Sequence, residues 1–456
     1  MSRILTGNLS IPYHTMQYYQ PFPLEAPKSK SSDLSGNDKA VALLKKGIWV
    51  YFLLLIFEGA LRKWVLPSLA TPLLIVRDPI ALWLLLTCWR RQLLPSNLYL
   101  AGIVFIGVIG IITATLLGHG NLLVAIYGAR ILLLHFPIIF VIGRVFSRKD
   151  VIRMGEVCLM LAVPMTLLIA LQFYSPQSAW VNRGIGGDIE GGGFSGALGY
   201  LRPPGTFSFT SGNTTFFSFI APFVFYFWLD KQKVNNVLLT VATAALVFAI
   251  PLSISRGLLF QVILTLVFVC IGAARKPKNL SRMLLALVGG GFIFGLLSQL
   301  SFFATATEAF TARLDVANEA EGGLEGVFVD RFLGGLISAL TSSSELPFFG
   351  YGLGMGTNAG SKLLTGATTF LIAEGEWGRT IGELGALLGI AVVALRMGLT
   401  MKIAAACYKK LMENDLLPWI LLSFGFLSVS QGGWAQPTSL GFCILSGGLM
   451  VSSLRN

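Results

Sequence analysis

Apolar runs of about twenty residues recur along most of the chain, separated by shorter polar stretches. The runs are continuous and lack the alternation of barrel strands, so they indicate membrane-spanning helices. About twelve are predicted, at 47–66, 71–88, 98–117, 121–146, 151–173, 214–229, 235–252, 257–273, 283–300, 381–399, 416–430 and 438–453. We therefore predict an all-α polytopic membrane protein with a flexible tail (1–46) and a transmembrane domain (47–456).

The composition supports the same class. Of the 456 residues, 54% are hydrophobic and 12% are charged, and the mean hydropathy is +0.73. Soluble domains carry roughly 25% charged residues, so this chain has too few charges to cover a water-soluble surface. The five cysteines lie in or beside apolar runs. Their spacing predicts neither a disulfide framework nor a metal site.

The distribution of lysine and arginine predicts the orientation of the helices. With the N-terminus in the cytoplasm, 23 of the 34 basic residues fall in cytoplasmic segments, as the positive-inside rule requires. Both termini are then cytoplasmic. Loops 175–213 and 301–380 lie on the opposite side, the second between helices 9 and 10. The net charge of +12 follows from this topology, so no nucleic acid is expected as a partner.

The loop at 301–380 is unusually long and has nine acidic residues against four basic ones. It contains amphipathic stretches such as Val327–Leu340, which we expect to lie on the membrane surface. Loops of this length are typically functional or disordered. Transporters usually keep short connections and place their chemistry at the middle of the membrane. The long loop therefore favours work at the membrane surface.

Eleven cations lie outside the cytoplasmic set, and each needs a partner or a task near a bilayer. They are Arg62, Lys63, Arg77, Arg130, Arg183, Arg202, Arg256, Arg313, Arg331, Lys362 and Arg379. Glu58 and Arg62 are four residues apart on one helix and can pair directly. We expect them, with Arg77 and Asp78, to form internal ion pairs, and we expect His135 to be packed and hydrogen-bonded.

Two of these arginines occupy special backbone contexts. Arg202 is followed by Pro-Pro-Gly just before the sixth span, and Arg256 lies in the short break Ser253–Gly257 between two apolar runs. Such turns restrict the guanidinium groups near the membrane interface, where they can bind phosphate oxygens bidentately. We predict that they bind a lipid-linked diphosphate. Snorkelling to lipid headgroups is the alternative.

A third polar patch closes the long loop. Arg331 opens an amphipathic stretch, and the glycine-rich turn PFFGYGLG (347–354) follows. The charged residues at the entrance of the tenth span are Glu374, Glu376, Arg379 and Glu383. A carboxylate in a partly dry site near arginines can act as general base toward a sugar hydroxyl, with Arg379 and Glu383 binding substrate. Stabilisation of the helix N-terminus by acidic residues is the alternative.

The order of these motifs resembles the O-antigen ligase and Wzy-type polymerase superfamily. The resemblance covers roughly residues 200–400: RPPGTFSF (202–209), SISRG (253–257), Arg331, PFFGYGLG and the Glu-Leu-Gly turn (383–385). It implies a glycosyltransferase of the GT-C type that uses undecaprenyl-diphosphate-linked glycans without metal or cofactor. The diphosphate-binding arginines of the family would map onto Arg202, Arg256 and Arg331. The segments FEGALRKWVLP (57–67) and RDP (77–79) also resemble a branch of exopolysaccharide polymerases.

The sequence departs from that family in one respect. Its ligases carry a histidine about nine residues before the glutamate of the Glu-Leu-Gly turn, and Glu374 stands at that position here. The histidines of this chain are His14, His119 and His135. The departure favours a polymerase over a ligase, with Glu374 as base or, if the register is shifted, Glu376.

The resemblance implies an inverting displacement, in which an acceptor hydroxyl attacks the anomeric carbon of the donor and polyprenyl diphosphate leaves. The expected location is the bacterial inner (plasma) membrane. Expected partners are the lipid bilayer and the lipid-linked glycan, with a flippase and a chain-length regulator as candidate protein partners. The alternatives are a ligase for a lipid or protein acceptor, a polysaccharide or lipid transporter, and a non-catalytic assembly partner.

Overall fold

The computed structural model describes residues 34–230, 234–274, 295, 301–321, 337, 341, 347–367, 371–373 and 375–455. The helices in this part are α1 (Leu34–Ala60), α2 (Asp78–Arg90), α3 (Leu98–Leu116), α4 (Leu122–Arg130), α5 (Ile138–Val145), α6 (Arg148–Tyr174), α7 (Thr210–Leu229), α8 (Asn236–Leu252), α9 (Arg256–Ala274), α10 (Ser301–Glu321), α11 (Asn358–Thr365), α12 (Glu376–Met412), α13 (Leu416–Gln431) and α14 (Pro437–Ser453). Strands β1 (Phe194–Ala197) and β2 (Tyr200–Arg202) pair as an antiparallel hairpin.

The described residues have the all-α architecture of a membrane protein. Seven helical segments are long and apolar enough to cross a bilayer, and three shorter apolar helices accompany them. Most predicted spans coincide with a helix to within a few residues, for example 98–117 with α3 and 438–453 with α14. The twelve-span topology and the GT-C fold stay predictions. The predicted span at 283–300 falls almost wholly outside the described residues.

Two helices extend beyond the predicted spans. α1 begins at Leu34, so residues 34–46, assigned above to a flexible tail, are helical. α12 continues to Met412, past the predicted end at 399, and Arg396 lies buried inside it. Arg396 is one of the 23 basic residues assigned above to cytoplasmic segments, and the structure buries it in the bundle interior instead of in a connecting loop. Apolar runs mark only the lipid-depth part of a long helix, so polar turns at its ends are missed.

Two π-helical turns, Leu61–Val65 and Ile131–His135, follow α1 and α4. A π turn widens the helix locally and often occurs at functional sites. The first turn places Arg62 and Lys63 in the interior of the bundle, and the second places His135 there. Polar side chains therefore enter the bundle from segments that are otherwise strongly apolar.

Contacts between helix termini define two ends of the bundle. At one end Lys45 pairs with Asp150 at 2.6 Å, and Arg148 pairs with Asp415. We call this the basic end. It contains segments that the charge distribution assigns to the cytoplasm.

The opposite end carries the β-hairpin and the loop between α13 and α14, and we call it the loop end. There Arg62 donates to the Ser208 hydroxyl at 2.9 Å, and Ser211 donates to the Gln436 side chain at 3.3 Å. The sequence predicts that this end faces away from the cytoplasm.

α12 reverses direction at Gly385, whose φ is 77° and ψ is 174°. A Cβ on Gly389 would lie 2.6 Å from the Cα of Ile381, so the segment before Gly385 folds back on the segment after it. Arg396 and Glu376, twenty positions apart, are joined at 2.8 Å. A straight helix would separate them by about 30 Å. The start of α12 therefore folds back along the rest of the helix, and we call residues 376–384 the re-entrant segment.

The glycine-rich turn 347–354 lies in this break. Tyr351 donates its backbone N–H to the Gly382 carbonyl at 2.8 Å, and Gly352 donates to the Glu383 carbonyl at 3.0 Å. Breaking a helix in an apolar bundle exposes carbonyl groups that must be satisfied. The two motifs PFFGYGLG and Glu-Leu-Gly therefore form one structural unit.

Candidate functional site

Arg202 lies on a rigid turn at the loop end. It ends strand β2, where it is paired with Phe194. After two prolines, Gly205 (φ 61°) donates its N–H to the Gln172 side-chain oxygen at 2.8 Å. The carbonyl of Gly205 accepts from the Lys63 ammonium at 2.6 Å and from the Gln172 amide at 3.3 Å. These bonds fix the backbone that carries Arg202.

Arg256 is the first residue of α9. It follows Ile254, whose φ of 46° is a conformation that β-branched residues rarely adopt. The Ser255 hydroxyl oxygen accepts from the Leu258 N–H at 3.4 Å and from the Thr214 hydroxyl at 3.0 Å. The tight turn is thus capped, and Arg256 adds its charge to the positive end of a helix.

A third arginine, Arg313 on α10, reaches the same hairpin. Its Nη1 donates to the Gly196 carbonyl in β1 at 2.9 Å. A Cβ on Gly196 would lie 2.8 Å from the side chain of Ile254. The hairpin therefore packs between the start of α9 and α10. We call Arg202, Arg256 and Arg313 the arginine cluster.

The three charges of the arginine cluster act on one another. Burial, together with the neighbouring Arg313 and Arg256, lowers the pKa of Arg202 to about 10. Burial and Arg256 also lower the pKa of Arg313. Within the described part of the chain, neither Arg202 nor Arg313 pairs with a carboxylate, and the Nε of Arg202 is buried without an acceptor. Such a cluster favours an anion with several oxygens.

The charged residues of α12 form a separate group. We call Glu376, Arg379, Glu383 and Arg396 the paired network. Glu376 accepts four hydrogen bonds: two from Arg379 at 2.8 and 3.1 Å, one from Arg396 at 2.8 Å and one from the Trp434 N–H at 2.9 Å. A carboxylate has about four lone-pair positions. The hydrogen-bonding capacity of Glu376 is therefore filled, and its role as general base stays a prediction.

The rest of the paired network is also satisfied. Glu383 accepts from Arg379 at 2.6 Å and from the Gly356 N–H at 2.8 Å. The Arg396 guanidinium lies 3.6 Å from the centre of the Trp434 ring. The cavity that borders these side chains measures about 10 Å³, room for one water molecule at most. The network therefore ties the re-entrant segment to the loop that precedes α14.

A second buried network connects α1, α2 and α4. Arg62 donates to Glu58 at 3.1 Å, which confirms the pair expected from their spacing. Asp78 accepts two bonds from Arg130, each 2.9 Å, and one from the His135 Nε2–H at 3.0 Å.

The other ring nitrogen of His135, Nδ1, accepts from the Tyr51 hydroxyl at 3.1 Å. His135 is packed and hydrogen-bonded, as expected. Arg77 is buried, lies 3.7 Å from Glu58 and donates to the Pro437 carbonyl. These ion pairs hold helices together at the loop end.

The structure brings Arg202 and Arg256 together in one group, and Glu376, Arg379 and Glu383 in another. Glu374 and Arg331 lie outside the described residues, so their predicted roles stay predictions. Arg313 was missed as a site residue, although it is one of the eleven cations outside the cytoplasmic set. No local motif marks it, because its place depends on how α10 packs against the hairpin.

His119 lies close to the glycine-rich turn, since a Cβ on Gly352 would lie 2.6 Å from its ring. Its Nδ1 accepts from the Asn121 N–H at 3.1 Å, so the proton is on Nε2, which donates to the Leu353 carbonyl at 3.2 Å. Both ring nitrogens are therefore engaged. His119 holds the α3–α4 connection against the turn and is a poor candidate for the base.

Comparison with protein-family models gives no match for this chain, and comparison with curated proteins gives none either. The family resemblance therefore stays a prediction, and the functional argument depends on the geometry.

Proposed function

We propose that this chain is a membrane glycosyltransferase that polymerises or transfers undecaprenyl-diphosphate-linked oligosaccharides on the non-cytoplasmic face, in exopolysaccharide or O-antigen synthesis. The observation that carries this proposal is the arginine cluster. Three guanidinium groups from β2, α9 and α10 lie near one another, and the pKa values of Arg202 and Arg313 are lowered by burial and by the neighbouring positive charge. Neither of these two arginines pairs with a carboxylate among the described residues. A diphosphate supplies the charge and the oxygens that such a cluster needs.

The surroundings of Arg202 favour binding of a diphosphate over snorkelling of its side chain to lipid headgroups. Snorkelling uses a long, flexible side chain that reaches outward to water. Arg202 is instead half-buried on a backbone fixed by Gln172 and Lys63, and its Nε faces no acceptor. A fixed donor of this kind favours a bound anion of defined geometry.

The proposed reaction is a single inverting displacement. An acceptor sugar hydroxyl attacks the anomeric carbon of the donor, and the bond from that carbon to the diphosphate oxygen breaks. Negative charge develops on the leaving diphosphate, where preorganised arginines stabilise the transition state most. Glu374 accepts the proton of the hydroxyl. Glu376 is the weaker candidate, because four donors already occupy its carboxylate.

The proposal is tested by pyrophosphate binding to the purified full-length protein. Arg202→Lys and Arg256→Lys keep the charge and lose the planar fork, and each should weaken binding at least about tenfold. Arg91→Lys, an exposed position at the basic end, is the matched control and should bind normally. Normal binding by both cluster variants would exclude them as diphosphate ligands.

Orientation and product need their own measurements. A reporter fused after Lys278 should read cytoplasmic and one fused within 315–325 should read exterior, and swapped signals would reverse the site assignment. Deletion of the gene should leave surface glycans capped with a single repeat unit. Accumulation of lipid-linked polymer would instead identify a ligase.

A further inference from the structure

Two tryptophans stack on each other at the loop end. Trp64 belongs to the π turn after α1, and Trp180 opens the short helical turn Trp180–Asn182. Their ring centroids are 5.6 Å apart with an interplanar angle of 27°. The Trp64 Nε1–H donates to the Trp180 carbonyl at 3.0 Å. Trp180 is 60% exposed, whereas the Lys63 ammonium lies 4.4 Å from the centre of the Trp64 ring, so the open aromatic surface of the pair belongs to Trp180.

The framework that holds this pair also holds the arginine cluster. Gln172 donates to the Val181 carbonyl at 3.0 Å, and the same side chain fixes Gly205 three positions after Arg202. Asn182 donates to the Gln172 carbonyl at 3.0 Å. One buried glutamine therefore sets both the turn of Trp180 and the turn of Arg202. The tryptophan pair and the proposed diphosphate site are therefore attached to one hydrogen-bonded framework.

We propose that Trp64 and Trp180 form a stacking platform for a pyranose ring of the glycan. The place of this platform in the reaction rests on the proposed function. The C–H groups on one face of a pyranose are apolar and carry partial positive charge, which complements the negative face of an indole. The sugar hydroxyls point sideways from such a stack, so they remain available to polar groups around it.

Two carboxylates that could accept hydrogen bonds from those hydroxyls follow Trp180 in the same loop. The turn Ile185–Gly187 packs against the π turn Leu61–Val65 that contains Trp64. Asp188 and Glu190, both exposed, follow this turn directly. An exposed aromatic ring on a loop that also carries exposed carboxylates suits a carbohydrate better than hydrocarbon.

Anchoring in the membrane interface makes different demands on a tryptophan. An interfacial anchor keeps its indole N–H for water and headgroups. Trp64 gives its N–H to a backbone carbonyl, and that bond fixes the angle of the stack. Trp89 in the last turn of α2 is 68% exposed at the basic end and provides the comparison for simple anchoring.

The test is calorimetric titration of the purified full-length protein with oligosaccharides cut by partial acid hydrolysis from the producing cells' own surface polysaccharide. Trp180→Ala should weaken binding at least about tenfold. Trp180→Phe, which keeps a flat ring, should retain most of the affinity. Trp89→Ala should match the wild type. The melting temperature of each variant shows whether it is folded.

The outcomes separate this platform from the proposed reaction. Wild-type protein that does not bind the oligosaccharides, or folded Trp180→Ala that binds them normally, would overturn the platform. Pyrophosphate affinity should be unchanged in Trp180→Ala, and oligosaccharide affinity should be unchanged in Arg202→Lys. If oligosaccharides bind through Trp180 while pyrophosphate does not bind at all, the platform stands and the diphosphate chemistry fails.

Discussion

The arginine cluster and the paired network both hold guanidinium groups at the loop end, and they differ in what neutralises them. In the paired network Arg379 and Arg396 face Glu376 and Glu383 at hydrogen-bonding distance. In the arginine cluster the charges that act on Arg202 come from two other arginines. Burying a charge is costly unless it is paired. The network is therefore complete without a ligand, whereas the cluster gains most from an anion.

This difference separates scaffold from site. Both regions contain residues that the sequence marks as candidates for chemistry, and residue type alone does not tell them apart. Glu376 and Arg379 satisfy each other and hold a reversed helix in place. Arg202 retains an unsatisfied donor on a rigid turn. Variants should consequently unfold the first region and weaken anion binding in the second.

The largest effect is expected for Glu376→Gln. The change removes the charge that faces two buried arginines, and breaking a buried pair in this way costs about 3–5 kcal/mol. The free energy of unfolding of the purified protein should fall accordingly. Glu413→Gln is the control, because Glu413 pairs with Lys410 at the solvent-exposed end of the same helix and should tolerate the change. Unchanged stability in Glu376→Gln would mean that the network is not a scaffold.

Glu374→Gln should lower the turnover and leave the stability of the protein unchanged. It keeps shape and polarity and removes the proposed base, so turnover should fall by about 10²–10⁴-fold. The melting temperature should stay that of the wild type. Glu374→His restores the residue of the resembled family and should retain activity. Normal polymerisation by Glu374→Gln, together with loss of turnover in a stable Glu376→Gln, would assign the base to Glu376.

Much of the helical architecture could be predicted from the sequence, because spans such as Leu98–Leu116 are continuous apolar runs of bilayer length. Arg202 and Arg256 could be found from their local turns. Arg313 and Arg396 could not, since their contacts join segments far apart in the chain. The reversal at Gly385 was also hidden. The hydropathy of a segment indicates that it is buried, but a straight helix and a helix that folds back on itself can have the same hydropathy.

Gly385→Ala tests the reversal that brings the paired network together. Gly385 has φ of 77°, and an added Cβ would lie 2.1 Å from the Phe348 carbonyl oxygen. Strained backbone conformations cost on the order of 1–3 kcal/mol, and the clash adds to that. Unfolding should therefore be easier. Gly366→Ala is the comparison for a positive φ alone, because Gly366 has φ of 78° with ψ of −10°, in the ordinary left-handed region, and no atom lies near the added Cβ. Equal losses of unfolding free energy in the two variants would show that the close contact between Gly385 and the turn 347–354 contributes nothing to the destabilisation.

The smallest effect is expected for Arg313→Gln, and its sign is the informative part. Glutamine keeps an amide donor on a shorter side chain, and the main electrostatic change is the loss of one positive charge beside Arg202. The pKa of Arg202 should rise, and without an anion the protein should become slightly more stable, by less than about 1 kcal/mol. Pyrophosphate should then raise the melting temperature of the variant less than that of the wild type, because the stabilisation of the folded state by a ligand grows with the logarithm of its affinity. Arg91→Gln at the exposed basic end should change neither quantity. A variant that is less stable than the wild type without an anion would show that Arg313 is held by attractive contacts, and the arginine cluster would then belong to the scaffold, like the paired network.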